Sequence, residues 1–324
     1  MHACMLINMY TITTSQLYGA YGFGVKSMPV WFGSEPWKLF ESLKLLYQYE
    51  EVHKKIIRKF GQEKKRDIQK YKEKTKDPPY VIHEKNLKKL ATQNTVFLMN
   101  AHELWQEAQS LTDRVKPIIF YYSWQQFSAF FIYTLLKWSS SSKGHGVSCD
   151  FKDADPLNIS EIQIEFYDKG FFRRLIDTLV LLGRPTAYAA WIPLQEDKGL
   201  NFEKNTFQSK ISSQAGLSDI LDFNPEDFYR EFKSMYPEKV YDKYVDVLLT
   251  DYLLAFLSSN IARYKPQLWA NVLLGKGRME AELNLRVKDA YEHFGYAGVK
   301  MVEGTPAPPC FIYEVWAVFR KWSE

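Results

Sequence analysis

Cysteine is scarce in this chain of 324 residues. Cys4, Cys149 and Cys310 are an odd number, and they lie far apart without a CxxC pair. This pattern excludes a disulfide framework and a zinc site built from the cysteines of one segment. The six histidines are also scattered, so we predict neither a metal centre nor a cofactor. Few and unpaired thiols are typical of a reducing compartment, and we therefore expect a cytoplasmic location.

Formal charge is missing from the first 25 residues, which contain no Lys, Arg, Asp or Glu. They lack the basic start and the continuous apolar run of a signal peptide, and their Tyr, Thr and Gly content disfavours a membrane span. We therefore predict that residues 1–27 are an extension outside the core. Residues 28–324 would form the folded body, either as one compact unit or as two packed halves, 28–150 and 151–324.

The common catalytic signatures are missing as well. The sequence contains no GxSxG, GxxxxGK[ST], GxGxxG or HExxH motif. Gly275-Lys276-Gly277-Arg278 has the residue types of a phosphate loop without its spacing, so we interpret it as a helix C-cap and an exposed turn. These absences leave open whether the protein is an enzyme.

Helical periodicity dominates what is present. Apolar residues recur at three- and four-residue spacing, and this predicts helices over 36–76, 84–111, 117–136, 171–182 and 240–263. Candidate core residues of the second helix are Leu87, Leu90, Val96, Leu98, Leu104 and Trp105. Alternation over 161–166 predicts a half-buried strand, and 188–194 is a candidate for another. A further helix should begin at Asn224, and a strand or short helix should close the chain over 310–322. We predict a mostly α fold with a small β element, built as a compact helical body.

The segment 117–136 carries no formal charge over twenty residues, a length that can span a bilayer. Ser123, Gln125, Gln126 and Ser128 lie near its centre, where polar side chains are expensive in lipid. We interpret the segment as a helix buried in protein, and we expect no stable membrane insertion.

A basic stretch lies between residues 51 and 77, with eleven Lys or Arg against five Asp or Glu. Such a stretch can bind nucleic acid by neutralising phosphates. Its interleaved acids favour a solvated helix face instead. The net charge of the whole chain, +4, is too small to indicate a nucleic-acid-binding protein.

Four short segments are informative as a set: PWKLF at 36–40, VKPIIFYY at 115–122, HGV at 145–147 and RYKPQLW at 263–269. In order and spacing they resemble the YaaC-like family of bacterial and archaeal proteins, over residues 37–322. The resemblance implies a mostly helical cytoplasmic protein of about this size, and it implies no particular reaction.

The last of these segments ends an apolar helix with four large side chains, Arg263, Tyr264, Lys265 and Trp269. They are candidates for an anion-binding surface, with Lys116 and His145 as companions. The structural alternative needs no ligand, because a cation is favoured at a helix C-terminus and Arg263 can pair with an acid such as Asp251. In that case the two aromatic rings would pack on the core.

Arg286 and His293 form a second candidate pair, with six residues between them. On a helix this spacing brings both to one face, where His293 could act as a general base and Arg286 could stabilise phosphate charge. The spacing is that of HEPN-type ribonucleases, and the alternative is a solvated helix pair.

The sequence therefore predicts a cytoplasmic binding or interaction protein of the YaaC-like type. Its ligand would be an anion such as a nucleotide, or a nucleic acid, and a homo-oligomer is compatible with it. The alternative is a HEPN-like, metal-independent ribonuclease in a toxin or defence setting.

Overall fold

A computed structural model describes most of the chain's central part. The described residues are 50–75, 84–136, 144–151, 158–182, 186, 188, 211–223, 230, 234 and 243–295. Of these, 79% are helical and 7% lie in strands, which confirms a mostly α fold with a small β element. The N-terminal extension, the predicted helix up to residue 49, the helix start at Asn224 and the closing segment 310–322 lie outside the described residues.

The helices and strands alternate irregularly along the chain. The helices are α1 Glu50–Glu63, α2 Lys65–Thr75, α3 Glu84–Ser110, α4 Lys116–Leu136, α5 Phe171–Leu181, α6 Leu217–Leu221, α7 Lys243–Tyr264, α8 Pro266–Leu274 and α9 Arg278–Gly295. The strands are β1 Val147–Asp150, β2 Gln163–Tyr167 and β3 Ile211–Gly216. The predicted helices over 84–111, 117–136, 171–182 and 240–263 correspond to α3, α4, α5 and α7.

Helix α4 is the centre of the body and packs against both α3 and α7. Its side chains from Phe127 to Leu136 are all buried, which confirms the interpretation of this segment as a core helix. The buried Ser123 donates its hydroxyl proton to the carbonyl of Ala101 in α3, at 2.7 Å. A buried hydroxyl needs such a partner, because leaving it unpaired costs free energy.

A membrane-length apolar helix does occur elsewhere in the described part of the chain. It is the stretch 245–264 of α7, which is long and apolar enough by composition to cross a bilayer, and 83% of its most apolar window is buried inside the body. Core helices of globular proteins pass the same test of length and composition. The helix is enclosed by α4, α8 and α9.

In helix α3, one of the predicted core residues is exposed. Leu98 and Trp105 are buried as expected, with 0% and 7% exposure, and Leu90 and Leu104 are half-buried. The prediction for Val96 is wrong, because this side chain is 48% exposed. A step of two residues along a helix rotates the side-chain direction by about 200°. Val96 and Leu98 therefore point to nearly opposite sides of the helix and cannot both face the core.

The small sheet is antiparallel with the order β1-β2-β3. Cys149, Ile164 and Ala215 are paired across it on the inner face, and Ser148, Glu165 and Gln214 are paired on the outer face. The observed strand begins two residues later than the one predicted over 161–166, because Ile159–Glu161 forms a 3₁₀ helix capped by Asn158. The strand predicted over 188–194 is wrong at Tyr188, which is helical.

The basic stretch forms α1 and α2, and most of its cations are solvated. Lys55, Arg58, Lys65 and Arg66 are exposed, as expected for a charged helix face. Lys72 departs from this expectation, because it is only 4% exposed. The opposite side of both helices carries apolar side chains that enter the core: Ile56, Phe60 and Ile68.

A buried ion pair within α5 is hydrogen-bonded to α2. Arg173 and Asp177 are each about 5% exposed, and Arg173 binds the carboxylate through Nε at 3.1 Å and Nη2 at 2.9 Å. The hydroxyl of Tyr71 in α2 donates to the same carboxylate. Burial raises the pKa of Asp177, while Arg173 acts in the opposite direction. The carboxylate of Asp177 therefore has three donors inside the body, whereas Nη1 of Arg173 is buried without a hydrogen-bond partner among the described residues.

Candidate functional site

The candidate residues 263–269 lie where α7 gives way to α8. Helix α7 ends at Tyr264, Lys265 is the N-cap of α8, and Pro266 takes the first helical position. Proline fits there because the first turn needs no hydrogen bond from its missing N–H. The chain therefore turns between two helices at Lys265, and the side chains of Arg263 and Lys265 are presented at the end of α7.

Arg263 is exposed and is held by two tyrosines. Its Nη2 donates to the hydroxyl of Tyr122 at 3.0 Å, and its guanidinium carbon lies 5.5 Å from the ring centres of both Tyr122 and Tyr264. The expected ion pair with Asp251 is wrong. Asp251 is buried twelve residues earlier in the same helix, about 18 Å away along the axis. Within the described ranges, no carboxylate lies at salt-bridge distance from Arg263.

Trp269 and Lys116 belong to a different group of contacts. The Trp269 ring is 2% exposed, and its Nε1 donates to the backbone carbonyl of Asp113 at 2.9 Å. Lys116 Nζ lies 3.8 Å from the Asp113 carboxylate and 5.8 Å from the ring centre of Tyr291. Both side chains therefore tie the start of α4 to its neighbours. The prediction that two aromatic rings pack on the core is confirmed for Trp269 and wrong for Tyr264, which is 58% exposed.

His145 is presented by a loop that also closes the start of α5. Gly144 and Gly146 on either side of it have φ values of +93° and +78°, in the region that favours glycine. The carbonyls of Gly144 and His145 accept from the backbone N–H groups of Phe171 and Phe172, at 3.2 and 2.8 Å. These are N–H groups of the first turn of α5, which have no partner inside the helix. The loop position is therefore fixed by the backbone.

A third glycine, Gly170, packs directly on this loop. It has a φ of +111°, and a Cβ at this position would lie 2.5 Å from both N and Cα of Gly146. Real Cβ atoms do not approach a backbone so closely. Glycine at 170 is therefore required for the loop to sit against α5.

The His145 ring lies against α4 and α7. Its Nδ1 is 2.6 Å from the hydroxyl of Tyr121 and 3.2 Å from Nε2 of Gln125. The Tyr121 hydroxyl is in turn 3.4 Å from that of Tyr252. Burial, together with the positive charge of Arg263, lowers the pKa of His145 below its ordinary value. Burial also raises the pKa of Tyr121 well above its ordinary value, so this phenol keeps its proton.

The structure thus brings two of the candidate residues, His145 and Arg263, to adjacent tyrosines of α4. Lys265 follows Arg263 and is half-buried, with its Nζ 5.9 Å from the ring centre of Phe151. In the described part of the chain this amine, like Arg263, has no acidic partner. We call His145, Arg263 and Lys265, with Tyr121 and Tyr122 behind them, the Arg263 surface. It offers hydrogen-bond donors and positive charge, and this combination suits an oxyanion.

Sequence reasoning missed three contributors to this surface. The sequence presents Gln125 only as a polar residue in a core helix, and no sequence pattern identifies Tyr252 or Phe151 as part of a site. Their role depends on which helices pack together, and no local motif indicates it. Tyr121 and Tyr122 did have a signal, because they lie in the segment 115–122 that carries the family resemblance.

Arg286 and His293 both lie on α9, seven positions apart and on one side of its axis. Arg286 is half-buried. For His293 the structure describes the helical backbone only. The candidate turn at Gly275 is a left-handed helix cap with φ +58° between α8 and α9, as predicted.

Comparison with known proteins assigns the chain to no family. No family model matches the chain. Searches of curated proteins and of solved structures find no significant match either. The residues able to bind a ligand must therefore be judged by their geometry. Over the described ranges, no group of three or more His, Cys, Asp or Glu side chains is arranged to hold a metal ion.

Proposed function

We propose that this protein is a cytoplasmic, YaaC-like binding protein whose ligand carries an exposed oxyanion, such as the phosphate of a nucleotide. The observation that supports the proposal is the state of Arg263. This guanidinium is fixed by Tyr122 and Tyr264, and no carboxylate neutralises it within the described residues. A cation that is held in place without a counter-charge has donors free for an anionic ligand.

The contacts between distant segments support the same proposal. Tyr121 and Tyr122, His145, and Arg263 come from three of the four segments that carry the YaaC-like resemblance, and they contact one another through hydrogen bonds. The fourth segment, 36–40, lies outside the described residues. Three of these side chains, Tyr122, His145 and Arg263, are partly or fully exposed and can therefore reach a ligand.

The ribonuclease alternative rests on Arg286 and His293. It requires both side chains to reach the same phosphate, and Arg286 is half-buried on α9. Hydrogen bonds join His145 and Arg263 to the tyrosines of the Arg263 surface, and they support the binding function as the first proposal.

The test compares the full chain with Arg263→Gln, and Arg66→Gln on the exposed face of α2 is the control for net charge. Thermal unfolding is followed with inorganic phosphate or adenosine 5′-monophosphate. A ligand at one hundred times its Kd stabilises a protein by about 2.7 kcal/mol. We expect the wild type and Arg66→Gln to gain stability, and Arg263→Gln to gain none.

Without ligand, the melting temperature of Arg263→Gln should stay close to that of the wild type, because the side chain is exposed and makes one hydrogen bond. An unchanged response of Arg263→Gln to both anions would refute the proposal. In a parallel reaction, RNA is incubated with the wild type in EDTA. Cleavage that disappears in His293→Ala would favour the ribonuclease instead.

A further inference from the structure

The hydrogen bonds behind His145 have a defined direction. Tyr252 is 0% exposed, so its hydroxyl proton must find an acceptor inside the protein. In the described part of the chain its hydroxyl has one hydrogen-bond partner, the hydroxyl of Tyr121 at 3.4 Å. Donation from Tyr252 to Tyr121 gives this buried proton its acceptor. The Tyr121 hydroxyl, having accepted, donates its own proton to Nδ1 of His145 at 2.6 Å.

This direction fixes the tautomer of His145. A neutral imidazole has one nitrogen that accepts and one that donates. Because Nδ1 accepts from Tyr121, and the amide of Gln125 approaches the same atom at 3.2 Å, the ring proton must be on Nε2. A second proton on Nδ1 would place two donors, N–H and O–H, against each other.

Nε2 is the ring atom left for a ligand, because it has no hydrogen-bond partner within the described ranges. We propose that Tyr252 and Tyr121 hold His145 as a neutral Nε2–H donor, and that this donor and Arg263 together bind an oxygen of the ligand's oxyanion. Tyr121 and Tyr252 are positioning residues, since they act through His145. This inference rests on the proposed function and names how the same surface recognises its ligand.

The pH dependence follows from the groups around His145. Helix α4 contributes Tyr121, Tyr122 and the uncharged Gln125, α7 contributes Tyr252 and Arg263, and α5 contributes the backbone of Phe172. Burial keeps Tyr121 and Tyr252 protonated and arginine stays charged, so these three charges do not change between pH 5.5 and 7.5.

An ordinary imidazole, with a pKa of about 6.5, would lose its positive charge in that window, and its affinity for an anion would fall as the pH rises. The two groups that face Nδ1, the Tyr121 hydroxyl and the Gln125 amide, favour the neutral ring, and burial beside Arg263 lowers the pKa of His145 in the same direction. Sulfate, which keeps its charge throughout, should then bind with the same affinity at both pH values. A phosphate monoester should bind more tightly at pH 7.5, because it gains its second negative charge near pH 6.

The first measurement is the nitrogen spectrum of the His145 ring in the ligand-free full chain labelled with ¹⁵N-histidine. The signal is assigned by its loss in His145→Asn. We expect a protonated Nε2 and an unprotonated Nδ1 at pH 7. Tyr121→Phe should move both signals towards a mixture of tautomers, and Tyr167→Phe, which removes a hydroxyl from the outer face of the sheet, should leave them unchanged. Should Tyr121→Phe fail to fold, Tyr252→Phe replaces it, because it frees Tyr121 to accept a proton from Nδ1.

The second measurement is the sulfate affinity at pH 5.5 and 7.5. The wild type should change by less than about twofold, whereas a His145 that charges in this range would bind more weakly at pH 7.5 by up to about tenfold. A charged His145 or a proton on Nδ1 at pH 7 overturns the inference and leaves the proposed function standing. The inference is also overturned, and the proposed function left standing, if neither Tyr121→Phe nor Tyr252→Phe changes the nitrogen signals of His145. Sulfate and phosphate that do not bind at all overturn the proposed function, and with it the role of His145.

Discussion

Replacing Trp269 with alanine removes the side chain that fixes the turn between α7 and α8. The ring is 2% exposed and its Nε1 donates to the carbonyl of Asp113 at 2.9 Å. Burying about 200 Å² at about 25 cal/mol per Å² corresponds to about 5 kcal/mol. Alanine retains part of this, and measured losses for such substitutions are about 3–5 kcal/mol. The hydrogen bond adds about 1 kcal/mol, which is small beside the loss of packing.

The assay is urea unfolding followed by far-ultraviolet circular dichroism, which reports the free energy of unfolding. Trp269→Phe separates the two contributions. It keeps most of the apolar area and loses the N–H donor, so it should cost about 1 kcal/mol from the hydrogen bond plus the smaller volume. Leu274→Ala on the same helix, where the side chain is 70% exposed, is the control and should change stability by less than about 0.5 kcal/mol. A loss below about 1 kcal/mol for Trp269→Ala would refute the packing argument.

The remaining predictions concern the buried ion pair and the glycine contact. Arg173→Leu leaves Asp177 as an unpaired buried carboxylate and should cost about 3–5 kcal/mol in urea unfolding, whereas adding Asp177→Leu should recover most of the loss. A double variant as unstable as the single one would contradict the charge argument. Gly170→Ala should destabilise the protein and abolish anion binding, because its Cβ would push the backbone of Gly146 and displace His145. Gly144 has a similar φ, and a Cβ added there would have no atom within 4 Å, so Gly144→Ala should cost only the backbone strain of about 1–2 kcal/mol. Equal losses of stability for the two variants would show that the contact between Gly170 and Gly146 is unimportant.

The sequence by itself determined the helices and the identity of the core helix. Periodicity predicted α3, α4, α5 and α7 to within a few residues, because burying one face of a helix imposes a spacing that is visible locally. The polar residues inside 117–136 indicated burial in protein, and Ser123 has the partner that this interpretation requires. Where two residues competed for the core, as Val96 and Leu98 do, their spacing alone would have decided correctly.

Only the tertiary structure decided which of the candidate residues act together. Arg263 and His145 lie 118 positions apart, and they meet at Tyr121 and Tyr122 because α7 packs against α4. Trp269 lies six positions after Arg263 and is a candidate for the same surface, yet its ring is buried in the core and donates to Asp113. Local patterns report which side of an element is buried, whereas a binding surface depends on long-range packing, which no local pattern contains.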